Sequence, residues 1–221
     1  MHTKRISIGY GKDKKWVTTP RPGAHKRSES IPLLLVVRDM IGYADTGDEA
    51  KKIIQEGNIL VDKKVRKDHK FAVGLMDVID VPKIKKHYRV LPSDKGLVVK
   101  EIDEKEAKVK LAKITGKSKV GGGKTQIATH DGGVIVTDKT EYGTKDTIVL
   151  ELPERKIVGG IKFEKGNIAL VVRGRHSGEA GKIKDIIAGT TTRKSNTVLE
   201  NLHTLTDYAF IVGTDKPQIK I

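Results

Sequence analysis

There is no cysteine among these 221 residues, so no disulfide framework, thiolate nucleophile or cysteine-ligated zinc can form. Aromatic side chains are scarce too: three Phe, five Tyr and one Trp. That is thin for a protein that reads single strands by stacking bases on aromatic platforms; backbone and shape contacts to folded RNA suit the composition better. Long apolar runs are missing. The longest, Ile31 to Val37, falls far short of the ~20 residues that cross a bilayer, and the N-terminus has no apolar signal core. Acidic residues are in deficit, with 28 Asp and Glu against 43 Lys and Arg, a formal net charge of +15. An excess of that size implies a polyanionic partner, either nucleic acid or an acidic membrane face. The expectation is a cytoplasmic chain of one large or two to three small domains.

What is present is organised around residues 31 to 81. Leu33, Leu34, Val37 and Ile41 recur at helical spacing and give a first helix a face that needs a partner. Gly42 can end it. Thr46 with Glu49 three residues on has capping-box spacing for a second helix, whose stripe is Ala50, Ile53 and Ile54 and whose end is Gly57. Ile59 and Val61 point one way along a short strand, Lys63 and Lys64 fall in a turn, and Val65 begins the return. Taken singly, each lysine here is a solvated side chain. Together, Arg38, Lys51, Lys52, Lys63, Lys64, Arg66 and Lys67 come from consecutive elements of one small unit, the electrostatic footprint of a phosphate-binding surface.

The stretch LLVVRDMIGYADTGDEAKKIIQEGNILVDKKV, followed by GLMDVIDV, resembles the small α+β RNA-binding module of certain ribosomal proteins, pseudouridine synthases and tyrosyl-tRNA synthetases. Arg38, Thr46, Ala50, Lys51, Gly57, Ile59, Val61, Val65 and Asp77 occupy the places of its pattern. Two departures stand out. Gly47 follows the cap where that family often has Arg, removing one expected phosphate contact, and Asp62-Lys63 replaces an Asn-Gly turn, which predicts a looser turn because Lys is a poor residue for positive φ.

Residues 1–30 carry Lys4, Arg5, Lys12, Lys14, Lys15, Arg21, Lys26 and Arg27 against only Asp13 and Glu29, with few apolar side chains and several Gly and Pro. Alone, such an arm is expected to be disordered, because it buries too little to offset its ordering entropy. On RNA it is expected to order, with Trp16 as a stacking or docking residue. After Val81, Lys83, Lys85, Lys86, His87 and Arg89 make a basic exit, and Glu101 to Glu106 read as an exposed acidic turn. Period-two alternation then predicts strands at residues 96–99 and 108–114. Short runs follow: TQIAT, GGVIVT, DTIVLEL, KIVGGIKF, NIALVV, GKIKDII and DYAFIV. Short strands broken by Gly, Asp and Asn indicate one or two small barrels.

Gly121-Gly122-Gly123-Lys124-Thr125 ends like a phosphate-cradling P-loop, but Ser118 stands where the first Gly belongs and a strand, not a helix, follows. Nucleotide hydrolysis is excluded, and a Gly-rich hairpin loop is the expectation. The seven histidines are scattered, with no pair at the i, i+4 spacing of helical metal sites; His130-Asp131 reads as a surface pair in a turn. In GNIALVVRGRHSGEAGKIKDII, residues 166–187, a strand runs into Gly174, Gly178 and Gly181 and a second strand follows, with Arg173, Arg175 and His176 at the tip. An ordinary long-looped hairpin would read the same. The stretch resembles the KOW motif of transcription elongation factors and ribosomal proteins, set in an SH3-like barrel.

The order of parts, from the arm with KWVTTPRPGAHK through the helix-helix-hairpin module and a β region to the KOW-like hairpin, resembles along essentially the whole chain the archaeal and eukaryotic small-subunit ribosomal proteins of the S4e family. The resemblance implies an α+β, mostly β chain: an arm at 1–30, the RNA-binding module at 31–92, a central β domain at 93–163 and a KOW-type SH3-like barrel at 164–221. It implies a structural, non-catalytic constituent of the small subunit, without cofactor, metal or small-molecule substrate and away from membranes, bound to ribosomal RNA and neighbouring ribosomal proteins in the cytoplasm. Its expected RNA-binding residues are Lys12, Lys14, Lys15, Trp16, Arg21, Arg38, Lys51, Lys52, Lys63, Lys64, Arg66, Lys67, Arg173, Arg175 and His176. The rivals are a KOW-containing transcription or translation factor and an RNA-modifying enzyme or its accessory protein; such an enzyme needs a large catalytic domain with an Asp in a cleft, which the Gly-broken strands do not offer.

Overall fold

The computed structural model describes residues 17–138, 140–200 and 202–220. They fall into two compact units. The first takes the described residues up to Leu91 together with Lys95–Lys110 and Leu152–Glu154, and the second takes Pro92–Asp94, Leu111–Glu151 and the residues from Arg155 on.

In the first unit β1 (Ser30–Pro32) leads into α1 (Leu33–Leu35), which widens into a π-helical turn over Val36–Ile41 and ends at Gly42 with φ 77°. Burial departs from the expected single stripe. Leu33 to Val37 are buried without a break, Leu35 and Val36 included, while Ile41 is only half-buried. After the loop at 43–46, α2 (Gly47–Gln55) begins at the expected capping box, Thr46 Oγ1 accepting from Glu49 N and Glu49 reaching back to Thr46 N. Its buried stripe is Ala50 and Ile54, with Ile53 at the margin.

The chain then turns at Gly57, φ 80°, into β2 (Leu60–Val61) and β3 (Lys64–Val65). The turn between them is Asp62-Lys63, with φ of 52° and 62°, and Lys64 already lies in the return strand, paired with Val61. The looser turn expected of Asp62-Lys63 is therefore corrected to a tight two-residue one, and Lys64, expected in the turn, to a strand residue. Side chains hold it: Asp62 Oδ1 accepts from Val78 N at 3.1 Å, and Lys63 Nζ donates to Asp80 at 2.8 Å. β4 (Ala72–Gly74) pairs antiparallel with β1, while β5 (Val78–Val81), β6 (Lys86–Ser93) and β7 (Gly96–Ile102) complete a sheet of order β3-β2-β5-β6-β7. β6 runs through the boundary expected at residue 92. The core of the unit lies between Leu33, Val37, Ala50 and Ile54 of the helices and Val61, Ile79, Val90 and Leu97 of the sheet.

In the second unit β8 (Val109–Lys119, continuous from the first), β9 (Thr125–Thr129), β10 (Val134–Thr137), β11 (Thr147–Glu151) and β12 (Lys156–Ile161) form a sheet of order β10-β9-β8-β11-β12. Its inner face is Ala112, Ile114, Ile127, Ile148 and Leu150. A further sheet, β16-β15-β14-β13-β17, is made by β13 (Ile168–Val171), β14 (Ala180–Ile187), β15 (Asn196–Leu199), β16 (His203–Leu205) and β17 (Ala209–Gly213), around Ala169, Val171, Ile183, Leu199 and Ile211. The mostly β character expected of the chain is what the structure has. The short polar strands β15 and β16 were not among the runs expected.

Candidate nucleic-acid interface

Residues 17–30 are not a loose arm. Arg21 N donates to Lys70 O at 2.9 Å, Val17 packs on the core of the first unit, and His25 is buried with Nε2 at 3.0 and 2.9 Å from the two oxygens of Asp77. Gly74 faces this imidazole, and a Cβ there would run into the ring. The expectation of disorder is corrected for this segment: one buried histidine and backbone hydrogen bonds supply the anchorage that its composition lacks. Lys12, Lys14, Lys15 and Trp16 lie outside the described residues.

Docking the segment sets Arg21 beside Lys70 and Asp68 of the loop before β4. Arg21 from the segment, Lys51 from α2 and Lys70 from the loop before β4 all lie close enough to bear on the His69 imidazole. Burial first, and then Lys70, Lys51 and Arg21, hold His69 below its ordinary pKa against the opposing charge of Asp68. Lys70 was not among the expected contacts; its signal is spatial, since it pairs with Arg21 across the chain. Arg66 lies on the same loop with its guanidinium 4.3 Å from the centre of the Phe71 ring, a cation–π contact that holds the group in place. Lys67 runs its stem past Gly57 at the end of α2.

The expected cations divide by what already occupies them. Lys52, Lys64, Lys67 and Arg175 are exposed and make no ion pair among the described residues. Arg21 pairs with Asp68 at 3.1 Å and Lys51 with Asp48 at 2.8 Å, both in contact with solvent, where exchange for a phosphate costs little. Arg38 forks onto its neighbour Asp39, Nε to Oδ1 at 2.9 Å and Nη2 to Oδ2 at 3.1 Å, and leans toward the start of α2, its Nη1 being 3.6 Å from where a Cβ of Gly47 would stand. A Cβ at Gly47 would meet this arginine in ordinary van der Waals contact. Lys63 is turned inward onto Asp80, itself buried and also bonded to His87. In the second unit Arg173, Arg175 and His176 sit on the loop between β13 and β14, with His176 Nδ1 3.0 Å from Glu179.

Several charges face inward. Lys110 is buried between Asp77, 2.6 Å away, and Asp62. Asp77 also accepts from Gly74 N at 2.9 Å. Burial works against ionisation of Asp77, but Lys110 and His25 outweigh it and hold the carboxyl well below its ordinary range; burial and the charge of Asp77 push Asp62 the other way. Lys113 is buried with its ammonium on the carbonyls of Asp207 and Ala209, at 3.0 and 2.7 Å, and burial pulls its pKa down to about 8. His130-Asp131 is not a surface pair. Asp131 is buried under Arg155, whose Nη2 reaches both oxygens at 2.9 and 2.8 Å, while the His130 ring packs edge-on against Phe210. Among the described residues no group of His, Asp or Glu could hold a metal ion, and no helix is long and apolar enough to cross a membrane.

Residues 33–79 match the S4 domain, and residues 84–157 match the ribosomal family S4e. The small ribosomal subunit protein eS4 of Methanosphaera stadtmanae is 47% identical over 216 residues, covering 95% of this chain and 89% of that protein. That of Archaeoglobus fulgidus is 43% identical over 234 residues, covering 100% and 98%. The crystal structure of the 30S ribosomal protein S4e from Thermoplasma acidophilum superposes with a TM-score of 0.75 at 31% identity, over 84% of this chain and 96% of that one.

Proposed function

The chain belongs to the ribosomal S4e family, and on that premise we propose that it is a structural constituent of the small ribosomal subunit, bound to ribosomal RNA and to neighbouring ribosomal proteins, with no catalytic part. The observation that carries the RNA contact is the docking of Arg21 beside Lys70, with its guanidinium held by Asp68 in contact with solvent, in a unit that also presents the open cations Lys52, Lys64 and Lys67. Exposed positive charge from the N-terminal segment, α2 and the loop before β4 is suited to sugar–phosphate backbone, which places a protein on folded RNA without reading bases. Arg38 joins this contact by exchanging Asp39 for a phosphate, since its planar fork fits either anion. Lys12, Lys14, Lys15 and Trp16 extend the contact, and Arg173, Arg175 and His176 form a further one on a KOW-type hairpin in the second unit. Lys63 contributes through the fold more than by touching RNA.

Sedimentation tests the assignment. A structural constituent stays with the small subunit through a high-salt wash and alters the chemical footprint of its RNA. Release of the protein into the wash, with the footprint unchanged, would point instead to a factor that visits the particle.

A further inference from the structure

The Gly-rich hairpin excluded above as a nucleotide site has no part in the interface just described. Beyond Ile114, β8 and β9 continue as a hairpin arm, paired from Gly116↔Ala128 to Lys119↔Thr125 and closed by Gly121–Gly123, with β10 along the other edge of β9 from Val134↔Ala128 to Thr137↔Thr125. From Thr115 to Gln126 the arm contains Lys117, Lys119 and Lys124 and no acidic residue. Lys117 is committed to the fold, its ammonium on the carbonyls of Thr140 and Tyr142 at 3.2 Å each. Lys119 is exposed and makes no ion pair among the described residues, and Lys124 meets Asp138 only at 3.8 Å with both groups largely in water.

The tip is open as well as basic. Gly122 and Gly123 have φ of 77° and 74°, which explains those two glycines by backbone geometry. Gly121 has no such φ, and a Cβ at 121, 122 or 123 would meet nothing within 4 Å. Neither strain nor crowding inside this chain accounts for the missing side chain at 121. A bare backbone between two cations lets another backbone come close, as an extended polyanion requires.

We propose that the β8–β9 arm is a separate RNA contact that takes the sugar–phosphate backbone, with Lys119 and Lys124 as phosphate ligands on either side of the bare Gly121–Gly123 tip. The inference rests on the RNA-binding reading of the chain. Because the protein has no cysteine, a single Val120→Cys substitution, at a residue 40% exposed on the arm, gives a unique tether for Fe–EDTA; Gln55→Cys on α2 is the companion. Each full-length protein is bound to small-subunit ribosomal RNA and hydroxyl-radical cleavage is mapped. Cuts from Val120→Cys at sites distinct from those of Gln55→Cys are expected, and the Lys119→Glu/Lys124→Glu protein should show a salt dependence of binding shallower by about two on the log–log scale. Binding without cuts from Val120→Cys overturns the inference and leaves the module's role standing, as does cross-linking of that cysteine to a neighbouring protein in the assembled subunit with the RNA uncut. Failure of the wild-type protein to bind the RNA overturns the functional reading itself.

Discussion

Asp77→Asn is the sharpest test of the charges inside the first unit. Three groups converge on the two oxygens of Asp77: Lys110 Nζ at 2.6 Å, Gly74 N at 2.9 Å and His25 through Nε2 at 2.9 and 3.0 Å. Asparagine matches the shape but offers one acceptor oxygen, so its amide must point at a donor, and Lys110 keeps only Asp62 as counter-charge. Removing one partner of a buried ion pair costs about 3–5 kcal/mol. At roughly 4 °C per kcal/mol for a unit of this size, that is a fall in melting temperature of about 12–20 °C. Urea titration followed by circular dichroism gives the free energy, and hydrogen exchange locates it: amides of β4 and β5 should lose protection while those of β13 and β17 keep theirs. A loss below about 1 kcal/mol, or one spread evenly over both units, would mean that water reaches these charges and that the cluster does not hold the unit together.

Deleting residues 1–30 should lower the stability of the first unit measurably in a thermal melt of the free protein, because His25 and the backbone bonds of Arg21 go with it; an unchanged melt would show the segment to be a solvated tail. Lys113 carries a pH signature. Its folded pKa, near 8, lies below the ordinary 10.5, so the unfolded chain binds the extra proton between those values and stability rises with pH across that window; the rise in urea midpoint from pH 7.5 to 10 should be smaller in Lys113→Met by the share of this one group. Lys63→Ala should cost stability of about 1–3 kcal/mol, since it strips a partner from buried Asp80, with filter-binding affinity for RNA nearly unchanged. Lys52→Glu/Lys67→Glu should do the reverse, weakening RNA binding and making its salt dependence shallower by about two, with the circular dichroism melt unchanged.

What could be read without coordinates was local. The capping box at Thr46 and Glu49 lies within four residues, and the runs at 125–129 and 147–151 announce themselves by alternation. β15 and β16 did not, because four- and three-residue strands rich in Asn, Thr and His have little apolar period; Thr197 is buried through a 3.1 Å hydrogen bond to Thr206, which no hydropathy pattern records. The ionic cluster was illegible for a different reason. Its bonded pairs stand 33 to 52 positions apart, and a lysine bound for the interior has the same letter as one bound for solvent. The docking of residues 17–30 was missed with it, since it depends on a histidine whose acceptor appears only after β4 and β5 have folded. For the interface, the basic character of the module was plain, whereas the sorting of its lysines into open and committed ones required the positions of Asp48, Asp68 and Asp80.

The distance along the chain between His25 and Lys110 also fixes an order of events during synthesis. Translation delivers the N-terminal segment first, but its seat is unfinished until Asp77 is made, and the charge of that seat is unbalanced until Lys110 has left the exit tunnel. For the 52 residues between His25 and Asp77 the segment has no carboxylate to dock on, and for the 33 that follow Asp62 and Asp77 lack the ammonium that lets both be buried as anions. The anchorage of the N-terminal segment of the first unit therefore depends on residues made long after it. The charge balance of the unit is complete only when Lys110, at the start of β8, joins Asp62 and Asp77.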